Sequence, residues 1–526
     1  MMAVFFMNTT SLVAQKGNAA NFSIYGDLYS GTPIQSIASD DWFKGVTANG
    51  MIDESETANF TTITNSKSNQ AFTARSPYNQ YKELNGFLLY DAIFGRDHVN
   101  FGSKWGGRDK SAFLGSSGKN TDNPLNTWDL GTDETVASAN DLVDIYAHLR
   151  RAGITVGTNM WLTLGVSTIS NSGDHYVDFE LYKSPITFNG SRTKFINSGP
   201  DATGGHSAWS LDAQGNVTTS GDMIAAFEFN GTSVSNVTLR VWTHHDTWKN
   251  ITPQNFNWGT FIEGENNYGY AEIIIPNGGV YSSGSTSNIP GPPWGTFYDN
   301  ATDPVTGTYR PGYFVEVGIN LSSLGIDPSL DSGNPCDAPF TKLMVKSRSS
   351  SSFTSTLKDF AGPYNFLGSS VVDTEIAKSP DIFDSCSSNT ITLSPLNPQT
   401  GAYYSWTTVD GEFSNGAKTY IGETAIATKP GTYILAAAPL EGCTESTNSI
   451  RLYASPCAVD DIAEVVENNG AVVIDILAND FDLDDDIDPT SVKNASLLKP
   501  VNGSVSINPS TGQMTYTPNP DFYGVE

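Results

Sequence analysis

Val472-Val473-Ile474-Asp475-Ile476-Leu477-Ala478-Asn479-Asp480-Phe481-Asp482-Leu483-Asp484-Asp485-Asp486-Ile487-Asp488 joins a short apolar run to an acidic one. Its reading decides between a helix–loop–helix calcium site and a β-strand leading into a charged loop. Asp480, Asp482 and Asp484 match the first three liganding positions of an EF-hand. Asp485, however, stands where that loop needs Gly, and Ser491 stands where it needs Glu. The flanks are β in pattern: Val472–Leu477 on one side, Val501-Asn502-Gly503-Ser504-Val505 as a hairpin with an Asn-Gly turn, and Met514-Thr515-Tyr516-Thr517 beyond it. The segment therefore reads as extended chain. Asp480, Asp482, Asp484, Asp486 and Asp488 then point to one side, roughly 7 Å apart. In water each neighbouring pair repels by about 1 kcal/mol or less. Two arrangements relieve this: a solvated loop, or oxygens wrapped around a hard cation such as Ca²⁺.

Working outward, residues 457–526 hold ten Asp and three Glu against two Lys, a large share of the chain's net charge of −28. The whole chain has 526 residues, 38% hydrophobic, 11% aromatic and only 16% charged, with 49 Gly and 27 Pro. That composition excludes a helical bundle or coiled coil, and the aromatic supply excludes a disordered chain. Such acidity disfavours nucleic-acid backbones and anionic lipid and favours divalent cations as counter-charge. At the N-terminus, Leu12-Val13-Ala14-Gln15 follows an apolar stretch and reads as the end of a secretory signal cleaved after Ala14, although no Lys or Arg precedes Lys16. Nothing else is long and apolar enough to span a bilayer. The four cysteines, Cys336, Cys386, Cys443 and Cys457, form no C-x-x-C pair, so disulfides are expected rather than a thiolate metal site.

Three stretches of the C-terminal segment look like the tandem cadherin-like and bacterial Ig-like repeats of secreted adhesins: Cys457-Ala458-Val459-Asp460-Asp461, then Val473 to Asp482, then Gly512-Gln513-Met514-Thr515-Tyr516-Thr517-Pro518-Asn519-Pro520-Asp521-Phe522-Tyr523-Gly524. The resemblance implies Ca²⁺ association for Asp460, Asp461, Asp480, Asp482 and Asp484. Asp486 joins that candidate metal set from the alternation. It also implies an incomplete last repeat, with further repeats following. Residues 371–456 resemble the bacterial immunoglobulin-like domains of large surface proteins, with Gly431-Thr432-Tyr433, Gly442-Cys443 and Trp406 lying between Cys386 and Cys443. That likeness pairs Cys386 with Cys443 and leaves Cys336 and Cys457 over.

Residues 20–370 carry many β-like runs, among them Met160–Val166, Tyr176–Tyr182, Ile224–Phe229, Val237–Trp242, Ala271–Ile275 and Tyr313–Ile319. One stretch, Ser138 to Arg151, has helical periodicity, with Leu142, Ile145, Tyr146 and Leu149 on one face. Residues 282–296 read as an exposed insertion loop. The segment containing Asn140–Tyr146, Trp161, Gly173–Glu180, Lys346–Phe353 and Leu357–Pro363 looks like the head of large exported proteins from gliding bacteria, in which one non-catalytic β-sandwich precedes Ig-like repeats. DOMON and family 9 carbohydrate-binding folds are analogies for it.

Catalytic motifs are missing from the sequence: no His-Glu-x-x-His, Gly-x-Ser-x-Gly or phosphate loop. Thr243-His244-His245-Asp246 reads as a polar loop beside Trp242 and Trp248. Asp178 and Glu180 share a strand face, and a buried pair tied to backbone or Arg fits them better than a glycosidase pair across a cleft. Asp97, His98, Asp109 and Asp141 show no spacing that marks a site. Trp105, Trp128, Trp209, Trp248, Trp258 and Trp294 lie in turn-rich stretches and are candidates for stacking on sugar rings. The fold expected is all-β: residues 1–19 a signal-peptide remnant, 20–370 a jelly-roll-like two-sheet sandwich with one short helix, then Ig-like and cadherin-like sandwiches at 371–456 and 457–526. The function expected is a secreted, non-catalytic cell-surface or adhesion protein stabilised by Ca²⁺. It would bind an extracellular glycan or protein ligand, without nucleic acid or a transmembrane segment. The alternative is a carbohydrate-binding module of a secreted polysaccharide-utilisation system.

Overall fold

The computed structural model describes the chain apart from residues 1–15, 32–38, 47, 56–69, 79–81, 102–106, 116–117, 155–156, 185, 190, 197–198, 300–303, 327–338, 368–371, 373, 388, 397, 399–401, 439–444 and 494–498. It divides into two compact units, residues 1–369 and 370–526. Strands dominate both, and no helix among the described residues is long and apolar enough to cross a membrane.

The N-terminal unit is built on two large antiparallel sheets. One has nine strands in the order Asn257–Glu263, Tyr268–Ile274, Ser233–His244, Met223–Asn230, Asp174–Tyr182, Lys342–Arg348, Leu357–Asn365, Ala112–Phe113 and Leu130–Gly131. The other runs Val280–Gly284, Phe314–Asn320, Met160–Thr168, Leu142–Arg151, Phe87–Arg96 and Phe72–Arg75, with Lys82–Leu84 also on Phe87–Arg96. All six runs read as strands in the sequence fall on these ladders. The sheets meet closely where Leu142 N donates to Asp359 Oδ2 at 2.7 Å and the Tyr364 ring leaves no room for a Cβ at Gly95.

Helical periodicity misleads at Ser138–Arg151, because Leu142–Arg151 is a strand with all ten residues buried. A strand covered on both faces loses its alternation, and period alone cannot separate it from a buried helix. Its polar residues do not face water. Arg96 Nη2 lies 2.6 Å from Asp144, and Arg150 Nη1 lies 2.9 Å from Asp40. His148 Nδ1 sits 2.7 Å from the Asp91 carbonyl, and Arg151 Nε donates to the Tyr90 hydroxyl at 2.7 Å. Among the described residues the short α-helices are instead Pro124–Thr127 and His245–Asn250.

Residues 282–296 are likewise not an exposed loop. Ser282 and Ser283 belong to an edge strand and are buried, as are Ile289 and Trp294. Trp294 packs against Phe43, Phe72 and Phe94, with ring centroids 4.8–5.5 Å apart. These rings join Trp42, Tyr146 and Phe314 in one apolar cluster.

The C-terminal unit begins with a sandwich of two four-stranded sheets. One is Ile376–Ser379, Ile391–Pro395, Ala425–Lys429 and Glu412–Phe413; the other is Thr419–Ile421, Tyr403–Thr408, Gly431–Ala438 and Ser446–Leu452. Trp406, Phe413, Tyr433 and Leu435 fill its core. A three-stranded sheet follows, in the order Val472–Ile474, Met514–Pro518, Gly503–Ile507. Here Asn502-Gly503 opens a strand instead of turning a hairpin. The turn lies at 508–513, where Asn508 N donates to the Gln513 carbonyl and Gly512 takes φ +68°.

Candidate functional site

The acidic segment leaves the Val472–Ile474 strand and returns to the base of the preceding sandwich. Phe481 and Cys457 exchange backbone hydrogen bonds of 2.8 and 3.2 Å, which fixes the register of the loop. Leu483 N donates to Ser385 Oγ at 3.1 Å, and Ser385 Oγ donates to Asp482 Oδ1 at 3.2 Å. Ala454 N donates to Asp484 Oδ2 at 3.0 Å. Asp485, which replaces the expected glycine, adopts φ +58°. That is the left-handed region Gly enters freely and Asp tolerates, so the chain turns here without a glycine.

Asp482, Asp484 and Asp486 come together, with a carboxylate oxygen from each lying within 4.8 Å of the others. Asp482 Oδ2 and Asp484 Oδ1 are buried and receive no donor from outside the acidic loop, so at these oxygens the two carboxyls have only each other. Burial raises the Asp484 carboxyl above its ordinary range, and the Asp482 and Asp486 charges push it further. Burial also acts to raise Asp482, but hydrogen bonds from Asp484 and Ser385 outweigh it and leave that carboxyl low. Two buried oxygens without an outside donor, in an all-carboxylate set, suit a hard cation, which takes oxygen ligands in flexible geometry. The rest of the predicted metal set lies outside this group. Asp480 accepts from Val459 N at 2.7 Å, while Asp460 and Asp461 are exposed, with the Asp460 carbonyl accepting from Asn479.

The disulfide beside this loop differs from the expected one. Cys386 is bonded to Cys457, 71 positions along the chain, not to Cys443. Cys336 and Cys443 lie outside the described residues. The Ig pattern pairs strands across a core, but here the bond lies at the seam, where Cys457 N donates to Phe481 O and Ser385 touches Asp482.

Three of the six tryptophans proposed for sugar stacking are core residues. Trp128, Trp209 and Trp294 are each 0–1% exposed, so their faces are spent on protein packing. Trp105 lies outside the described residues. Trp248 and Trp258 are half-buried at the edge of the nine-stranded sheet. Trp248 stacks on Phe261 at 5.2 Å and donates its indole N–H to Gly259 O; Trp258 donates to Ile251 O.

Asp178 and Glu180 are sealed inside the N-terminal unit. Arg348 lies 2.8 Å from Asp178, and Lys346 and the Tyr182 and Tyr270 hydroxyls contact Glu180. His244 caps the His245–Asn250 helix through Asp246 N, and the His245 ring packs on Trp248 and Phe261. Neither group forms an open acid–base pair. What sequence reading missed is the gathering of Asp97, Asp109, Asp141 and Asp359, which come from separate strands and loops and carry no local spacing signal.

Residues 454–526 match the family described as Bacterial Ig domain. The match begins at Ala454, whose N–H holds Asp484, so the acidic loop and its anchor fall inside the matched module. No curated protein matches the chain.

Proposed function

We propose that this chain is a non-catalytic extracellular surface protein of the adhesion type, whose Ig-like modules are held in register by Ca²⁺ bound at Asp482, Asp484 and Asp486. The observation that carries this reading is the pair of buried oxygens, Asp482 Oδ2 and Asp484 Oδ1, that no donor outside the acidic loop reaches, in a carboxylate cluster anchored on the preceding sandwich through Ser385 and Ala454. A bacterial Ig module carrying the cluster supports the surface role. An empty loop of like charges repels itself, whereas a filled one is ordered and ties two modules together. An ion that binds only the folded form stabilises it by RT ln(1 + [L]/Kd), about 2.7 kcal/mol at a hundredfold excess over Kd.

The test is calorimetry of the full chain in Ca²⁺ and in EDTA. The melting transition of residues 370–526 should rise with Ca²⁺, and the triple variant Asp482→Asn, Asp484→Asn, Asp486→Asn should lose that rise. An unchanged transition in the parent chain removes calcium from this site. A second reading, glycan binding by the N-terminal unit, draws on the half-exposed Trp248 and Trp258 at the sheet edge. Glycan-dependent quenching of tryptophan fluorescence that is lost in Trp248→Ala would favour it.

A further inference from the structure

The N-terminal unit holds a second carboxylate cluster, and it lies deep in the fold. Asp97 follows the Phe87–Arg96 strand and Asp141 precedes its neighbour Leu142–Arg151, both in the seven-stranded sheet. Asp359 lies in Leu357–Asn365 of the nine-stranded sheet, paired with Ala112, and Asp109 sits just before that partner strand. The four residues are 0–3% exposed. Oxygens of Asp109, Asp141 and Asp359 all lie within 4.8 Å of one another.

Backbone donors hold each carboxylate in place. Asp141 Oδ2 accepts from Asn100 N at 3.0 Å, and Asp109 Oδ1 accepts from Ser111 N at 2.8 Å. The two Asp359 oxygens accept from Leu142 N at 2.7 Å and Phe360 N at 2.8 Å. Asp97 Oδ1 accepts from His98 N at 2.8 Å and from Ser111 Oγ at 2.5 Å, and the same hydroxyl lies 3.0 Å from Asp109 Oδ1. The opposite oxygens of Asp97, Asp109 and Asp141, namely Oδ2, Oδ2 and Oδ1, are buried and receive no donor from outside the cluster, within which the Asp109 and Asp359 carboxyls bond each other. Among the described residues none of the four carboxylates forms an ion pair; Arg192 exerts only a small pull on Asp97.

Buried charge is normally paired, and a carboxylate cluster with no counter-charge is strongly disfavoured. Three backbone-tethered carboxylates, each presenting oxygen to one point, match the donor set of a hard divalent cation. Opposed ligands of Ca²⁺ lie about 4.6–5.2 Å apart, twice its usual oxygen distance, so the observed convergence has room for it. Mg²⁺ keeps its waters and suits a dry all-protein cage less well.

We propose that Asp109, Asp141 and Asp359, with Asp97 held beside them by Ser111, form a buried Ca²⁺ site that cross-links the two sheets of the N-terminal unit. It is separate in sequence and unit from the acidic loop at 482–486, so either site can fail without the other.

The experiment uses the full chain carrying Asp482→Asn, Asp484→Asn and Asp486→Asn, stripped with EDTA. Terbium is then added and its luminescence excited through the aromatic residues; Tyr364, whose hydroxyl feels the Asp97 and Asp359 charges, is a nearby sensitiser. Emission should saturate near one equivalent and be displaced by Ca²⁺. Adding Asp141→Asn and Asp359→Asn should weaken terbium binding at least tenfold. Full emission in that variant overturns the proposal, as does absence of emission in its parent. Should the added substitutions prevent folding, metal content of the dialysed parent decides: about one Ca²⁺ per chain supports the site, and none overturns it.

Discussion

Glu316 shows how a single buried group sets a pH limit. It lies in the Phe314–Asn320 strand and is fully buried, accepting from Gly26 N at 2.6 Å and Trp42 Nε1 at 3.0 Å. Burial pushes its carboxyl up to about 8, and the neighbouring Asp27 charge adds to that. A carboxyl raised in the folded state binds its proton more tightly there than in the unfolded chain. Its stabilising contribution is therefore complete below the ordinary glutamate range and is lost as pH rises through about 8. The N-terminal melting transition should fall as pH rises from about 5 to about 8 and level off above that, and Glu316→Gln should flatten that decline; parallel profiles for the two proteins would refute the assignment. Nothing in the sequence around Glu316 announces this, because its partners are Gly26 and Trp42. Legibility at this scale follows distance along the chain. The Asp482, Asp484 and Asp486 cluster is visible as alternation, since neighbours two apart share a face, whereas Asp485 counts in the sequence as a departure from the Gly a calcium loop uses. Asp109, Asp141 and Asp359 are invisible, because only the pairing of distant strands brings them together.

Among elements, the strand at Leu142–Arg151 and the segment at 282–296 are where sequence patterns mislead, for opposite reasons. The first carries apolar residues at helical spacing, but its charged residues face inward to Asp40, Tyr90, Asp91 and Arg96 rather than outward to water. The second is rich in Gly, Ser and Pro, yet it delivers Trp294 into the aromatic cluster. Trp294→Ala should destabilise the N-terminal unit by about 3–5 kcal/mol, the usual cost of emptying a large aromatic site. Denaturant titration checks this, and a loss under 1 kcal/mol would mean the segment is dispensable to the core. The strands at Met160–Thr168, Asp174–Tyr182, Met223–Asn230 and Phe314–Asn320 were readable because short apolar runs carrying β-branched and aromatic residues lie between turn-forming stretches.

For the molecule as a whole, composition alone points to an all-β chain: few charges, many Gly and Pro, and abundant aromatics leave little else. The covalent wiring was not readable in that way. A sandwich pattern favours a bond within the core, whereas the bond joins Cys386 to Cys457 at the base of the following module. Closing a loop of 71 residues removes unfolded-state freedom worth about 4 kcal/mol. Cys457→Ser should lower the stability of residues 370–526 by that order, read from urea unfolding; no shift would mean the reduced chain keeps its compactness. The same bond has a mechanical meaning. A load pulled through the chain ends passes from Cys386 straight to Cys457, so the sandwich strands from Ile391 to Leu452 are shunted out of the line of tension. Stretched between two anchors, the oxidised protein should keep roughly 230–260 Å of contour in reserve, and a reductant would let that length run out.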